Sequence, residues 1–170
     1  ENNLSTDGGA TWSTEPMFSE ARAIHATPGG VYVVRNDTLF FRATGSSEWS
    51  VLHVDRFLNA ITTSGHTILC TTPWKFLRST DHGASWNVWG IDYDDTRFRW
   101  FNTVADSLVA LTGERPYIYL SNDAGASWKE IHLEIGRYGR ITSAVLDSSN
   151  HLILGSSAGL FRSTTPVSHP

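Results

Sequence analysis

The octapeptide STDHGASW at residues 79–86 recurs along the chain, and no other feature constrains the fold as strongly. Near copies stand at residues 5–12, STDGGATW, and at 121–128, SNDAGASW. A worn copy at 43–49, ATGSSEW, has lost the Asp and one residue. The leading residues Ser5, Ala43, Ser79, Ser121 and Ser163 follow one another at intervals of roughly 40 residues, a period that marks propellers and solenoids. The chain is therefore a repeat protein.

Each position of the octapeptide has a physical role. Asp7, Asp81 and Asp123 are placed to accept backbone N–H bonds inside a tight turn. Gly9, Gly83 and Gly125, two residues on, supply a backbone conformation that a residue with a Cβ adopts poorly. The Ser or Thr before the Trp adds a local hydroxyl bond, and Trp12, Trp49, Trp86 and Trp128 are expected to plug the turn with a large apolar ring. The unit is a hairpin corner joining two strands. The pattern S-x-D-x-G-x-[TS]-W resembles the Asp-box, or BNR, repeat, and Arg78 and Arg162 match the Arg that often precedes it. The resemblance spans nearly the whole chain. It implies a β-propeller of the sialidase, xyloglucanase, sortilin or photosystem-assembly-factor kind, with the box between the third and fourth strands of a blade. There the box is structural and not catalytic.

The rest of the chain supplies strands to match. Short apolar and polar alternations at 22–27, 31–35, 38–43 and 49–54 predict one four-stranded antiparallel blade. Equivalent sets follow at 57–63, 67–72, 76–79 and 86–89, and at 98–104, 108–112, 117–121 and 128–133. Strands at 140–146, 151–155 and 159–163 make a last blade that lacks its fourth, which a strand at the N-terminus would supply. The expected fold is all-β, a single domain over 1–170, with four blades closed by the two chain ends or forming a piece of a larger propeller. At 170 residues such a domain buries roughly 70% of its unfolded surface.

Composition narrows the partners. The net charge is −4 and the only lysines are Lys75 and Lys129, so no polybasic track offers itself to nucleic acid or an anionic membrane. There is no transmembrane run, and the lone Cys70 rules out an internal disulfide. Cys70, between apolar neighbours, is expected in the core. The opening on Glu1 suggests a processed or excised piece, and an extracellular or periplasmic protein is the expectation.

In the family that the box resembles, ligands bind on the face opposite the boxes, built from the turns between second and third strands and from the connections between blades. Here those are 36–37, 72–75, 113–116 and 156–158, and 15–21, 55–56, 90–97 and 134–139. Trp74 falls in one such turn beside Lys75, where an exposed ring could stack on a sugar or anchor a protein. Arg22, Arg56, Arg97, Arg99, Arg137 and Arg140 all stand at or just before a blade's innermost strand, so their guanidinium groups are expected to form a cationic rim suited to carboxylate, sulfate or phosphate. The competing expectation pairs them with Glu20, Asp55, Asp94, Asp95 and Glu134. Tyr93 lies in the longest connection with Asp92, Asp94 and Asp95, a solvated acidic loop or a calcium site.

Catalytic motifs are weaker. Residues 155–159, GSSAG, match a nucleophile elbow by spelling but join two predicted strands where that elbow needs a strand, a turn and a helix. No two histidines have metal-site spacing, and no cofactor is implied. Arg22, Arg99 and Arg140 imitate a sialidase arginine triad, but the accompanying F-R-I-P type sequence is missing. The reading is a binding propeller for a protein or glycan ligand of acidic character. The alternative is a fragment of a sialidase-like or xyloglucanase-like glycoside hydrolase.

Overall fold

A computed structural model describes residues 3–4, 9–14, 20–90, 100–103, 109–112, 117–132, 141–149 and 151–167. Every regular element among them is a strand. A short pair, β1 (Asn3–Leu4) and β2 (Ser13–Thr14), forms a sheet of its own across the first box. The first full blade is β3 (Ala23–Thr27), β4 (Gly30–Arg35), β5 (Thr38–Ala43) and β6 (Ser50–Val54), hydrogen-bonded in that order. The second is β7 (Ala60–Ser64), β8 (Thr67–Thr71), β9 (Lys75–Ser79) and β10 (Asn87–Gly90). The third is β11 (Trp100–Thr103), β12 (Val109–Thr112), β13 (Tyr117–Ser121) and β14 (Lys129–His132). The last sheet has three strands, β15 (Ile141–Leu146), β16 (Leu152–Ser156) and β17 (Gly159–Arg162). All pairings are antiparallel, as the alternating pattern demands.

The blades pack on one another through faces that the alternation makes apolar. Tyr32, Val34 and Leu39 of the first blade share one buried cluster with Leu58, Ile61, Ile68, Cys70 and Leu77 of the second. Ile118 and Leu120 of the third share another with Ile141, Ala144, Leu152 and Leu154 of the last. Each fully buried Leu or Ile contributes about 1.5–3 kcal/mol, so the interfaces between blades hold the fold. The second blade has neighbours on both sides, with β7 beside β3 and beside β11. Its strand β8 is accordingly buried at every position, where β3 alternates. Cys70 is fully enclosed there, and burial pushes its thiol pKa up.

The blade count agrees with the repeat, but the chain ends differ from one expectation. Among the described residues β1 pairs with β2, and β17 is the outer strand of its sheet. The box is a short closed corner, so the two strands flanking it meet each other first. Among the described residues the N-terminus therefore brings a strand pair of its own, and β16 alone pairs with β17.

Two complete boxes share one hydrogen-bond scheme. Asp81 Oδ1 accepts from the Ser79 hydroxyl at 2.8 Å and the Ser85 N–H at 2.9 Å, while Oδ2 accepts the Ser85 hydroxyl at 2.6 Å. The Gly83 N–H donates to Ser79 Oγ at 2.8 Å. His82 (φ 58°) and Gly83 (φ 90°) turn the chain through the left-handed region. Asp123, Ser121, Ser127, Ala124 and Gly125 repeat this arrangement to within 0.1 Å in each of the four bonds. These bonds hold Asp81 at a pKa of about 2, the Ser85 hydroxyl contributing most. Burial pushes the Asp123 carboxyl up, but the Ser127, Ser121 and Ala126 donors outweigh it and hold it at about 2 as well.

The tryptophans are less uniform than the motif suggests. Trp12 and Trp86 donate their indole N–H to the carbonyls of Gly9 and Gly83, at 3.0 and 3.1 Å. Trp86 is partly buried against the first interblade cluster, whereas Trp12 is 63% exposed and is not the buried plug expected of it. Trp128 lies 4.7 Å edge-on to Phe76 and stacks at 6.3 Å on Trp89, so its place is set by the second blade. Trp49, in the worn box, lies under the Arg42 guanidinium at 4.6 Å. Asp7 lies outside the described residues.

Candidate binding face

The turns that join first to second strands sit with the boxes. Thr44 of the worn box bonds Gly29 and Pro28, and the His66 ring meets His82 of the second box at 5.9 Å. In the last blade Arg162 closes the same kind of contact, bonding Asp147 Oδ2 through Nε at 2.9 Å and His151 Nδ1 through Nη2 at 2.9 Å. Arg78 reaches from the second blade to the Ala124 carbonyl of the third box at 2.9 Å. The chemistry that recurs from one repeat to the next is consumed here, in closing turns and holding blades together.

The other ends of the strands carry a different cluster. Asn36 (φ 45°) and Asp37 (φ 63°) form a two-residue turn between β4 and β5, with both residues left-handed as such hairpins require. Asp37 Oδ1 then accepts the Phe57 N–H at 2.7 Å, and the Asp37 carbonyl accepts the Asp55 N–H at 3.0 Å. Together these bonds fasten the connection from β6 to β7. Phe57 itself has φ 66°, a conformation that costs a bulky side chain strain. The sequence places Phe57 in a strand, but the strand begins only at Ala60, because the chain must first turn out of the first blade.

The turn from β8 to β9 supplies the second half. Thr72 Oγ1 accepts from the N–H groups of Trp74 and Lys75 at 3.3 and 3.0 Å, and the Thr72 N–H donates to the Lys75 carbonyl at 2.9 Å. Trp74 is 51% exposed and meets Phe57, itself 40% exposed, edge-on at 5.2 Å and 85°. The Arg56 guanidinium lies 5.4 Å from the Phe57 ring centroid. Lys75 Nζ bonds Asp55 Oδ2 at 3.4 Å.

Of the residues that the sequence nominates, Trp74 and Arg56 come together here. Arg22, exposed at the entry to β3, extends Nη1 to the Leu58 carbonyl at 3.5 Å. Asp55 takes Lys75 as its partner, not Arg56 as the pairing expectation has it. Arg97, Arg99, Arg137, Arg140, Tyr93 and the acids Asp92, Asp94, Asp95 and Glu134 lie outside the described residues. Phe57 is the residue that sequence reasoning misses. Its one signal is the short connection 55–59, which has to reverse the chain without a glycine. The GSSAG string is a hairpin, with Ser156 Oγ accepting the Ala158 N–H at 3.0 Å, and β17 follows it where an elbow needs a helix. No group of three or more metal-ligating side chains occurs among the described residues.

The BNR/Asp-box repeat family description matches residues 4–14. No curated protein matches by sequence. Among solved structures, YCF48 from Cyanidioschyzon merolae is 16% identical, with 81% of this chain and 50% of that one covered at a TM-score of 0.57. YCF48 bound to D1 peptide is similar at 19% identity, 81% and 48% coverage and a TM-score of 0.56. An ancestral GH74 enzyme gives 16%, 85% of this chain and 22% of its own, at 0.65. Virginiamycin B lyase from Staphylococcus aureus gives 12%, 86% and 56%, at 0.62. The chain thus spans 22% to 56% of the length of these structures. The fold is that of a β-propeller, and within it residues 4–14 match the BNR/Asp-box repeat.

Proposed function

We propose that this propeller is a binding module whose ligand, a protein segment or a glycan, docks over Trp74, Phe57 and Arg56 on the face opposite the boxes. The observation that carries the reading is the exposed Trp74–Phe57 pair. Two large rings stand half in water, one on a strained backbone, and the backbone of each is fastened where its N–H donates to a side chain, Phe57 to Asp37 Oδ1 and Trp74 to Thr72 Oγ1. Left to stability alone, such rings would gain by burial and Phe57 by a relaxed backbone. Exposed, preorganised aromatics are the usual anchors of interfaces. YCF48, a propeller of related fold, binds a peptide, which supports a protein ligand. Arg22, at the entry to β3, belongs to the proposed face, and Arg97, Arg99, Arg137, Arg140 and Tyr93, outside the described residues, stay candidates for it on sequence alone.

The test is a parallel screen of an immobilised glycan array and a phage-displayed random peptide library, with wild type and Trp74→Ala. Ligands that the wild type retains and Trp74→Ala loses support the reading. Turnover of a fluorogenic glycoside panel, abolished by changing a carboxylate on this face, would replace it with a glycoside hydrolase.

A further inference from the structure

The partner chemistry can be narrowed, on the reading that this face is where ligand binds. We infer that the cluster takes an acidic peptide segment of a partner protein, with one apolar side chain seated on the Trp74–Phe57 pair and an adjacent carboxylate held by Arg56. Ring geometry argues against a sugar. Pyranose rings stack on an open, flat aromatic face, whereas here the rings stand at 85° to each other and a guanidinium lies over Phe57. The result is an angled notch, suited to an inserted side chain.

Charge supplies the second half. The two acids of the cluster are already engaged, Asp37 with the Phe57 N–H and Asp55 with Lys75. Among the described residues Arg56 makes no ion pair, and its one recorded contact is with the Phe57 ring. Arg22 uses one N–H, at 3.5 Å, on the Leu58 carbonyl, and the Lys75 side chain is 47% exposed. Within this described cluster the cations Arg22, Arg56 and Lys75 outnumber the acids Asp37 and Asp55, in a chain whose net charge is −4. A planar guanidinium lying against a ring keeps its N–H edge free to grip a carboxylate in two parallel bonds.

The experiment is selection of the wild-type protein against a random peptide library, followed by fluorescence anisotropy of the best peptide at low and high salt. The expected peptides pair Asp or Glu with a neighbouring Phe, Trp or Leu. Affinity should fall as salt rises, Arg56→Ala should weaken binding at least about tenfold, and Arg56→Lys should restore part of it. Melting temperatures of the exposed variants should match wild type, so loss of binding is not loss of fold. Neutral or basic selected peptides would overturn the inference, as would salt-independent binding or an Arg56→Ala variant that binds as wild type. Trp74-dependent glycan binding with no peptide binder would also overturn it while leaving the broader reading intact. Binders of either class that ignore both Trp74→Ala and Phe57→Ala would overturn the site itself.

Discussion

Gly125→Ala tests whether the third box is a turn alone or also a packing joint between blades. Gly125 is buried, with φ 79°, and a Cβ built on it would lie 2.9 Å from Phe76 Cζ and 3.1 Å from Leu69 Cδ2. Phe76 is 1% exposed and abuts Trp128 at 4.7 Å, so its ring has little room to withdraw. A left-handed alanine costs about 1–2 kcal/mol, and overpacking a closed core costs about 1–3 kcal/mol. The expected destabilisation is therefore about 2–4 kcal/mol, once the lower unfolded-state entropy of alanine is set against it. In a domain of this size that lowers Tm by roughly 5–15 °C. Gly45→Ala in the worn box is the control, because its φ is 80° but nothing lies within 4 Å of the added Cβ. It should lose only the strain, about 1–2 kcal/mol. Chemical and thermal unfolding followed by circular dichroism measure both variants. The double variant Gly125→Ala with Phe76→Leu should be less unstable than the two changes added. Equal losses at Gly125 and Gly45, or strict additivity with Phe76→Leu, would refute the joint.

Acid should destabilise the fold through two box carboxylates, Asp81 and Asp123, and through Asp147 in the turn from β15 to β16. Asp81, Asp123 and Asp147 have pKa values of about 2 against an ordinary 3.8, Asp147 chiefly through the His151 N–H and Arg162. Carboxyls with lowered folded-state pKa contribute stability that is present above the ordinary value and lost as pH falls from about 4 to about 2. Denaturant midpoints measured across that window should fall, and Asp81→Asn should flatten the slope; an unchanged slope would separate the carboxylate charge from the box. Phe57→Gly should be more stable than Phe57→Ala by about 1 kcal/mol, since only glycine is relaxed at φ 66°. Both should lose ligand, and a Phe57→Ala variant as stable as Phe57→Gly would deny the strain.

What could be read directly from the sequence is what the chain settles within a few residues of itself. The side-chain hydrogen bonds within the second box join partners two to four positions apart, from Ser79 with Asp81 to Asp81 with Ser85. Its spacing therefore specifies its geometry, and its repetition specifies blades. Alternation likewise marks which strand faces are apolar, and the unbroken apolar run Ile68-Leu69-Cys70 marks a strand buried on both sides, so the placement of Cys70 in the core follows. Tertiary structure decided how one blade's loop meets the next. Trp12 and Trp128 occupy the same motif position, yet Trp12 is largely exposed while Trp128 is wedged against Phe76 and Trp89 of the second blade. Lys75 claims Asp55 across 20 residues, leaving Arg56 to Phe57, and Asp37 fixes Phe57 across 20 residues more. Those pairings depend on where separate turns come to rest in space, and packing between sheets, not residue spacing, determines that.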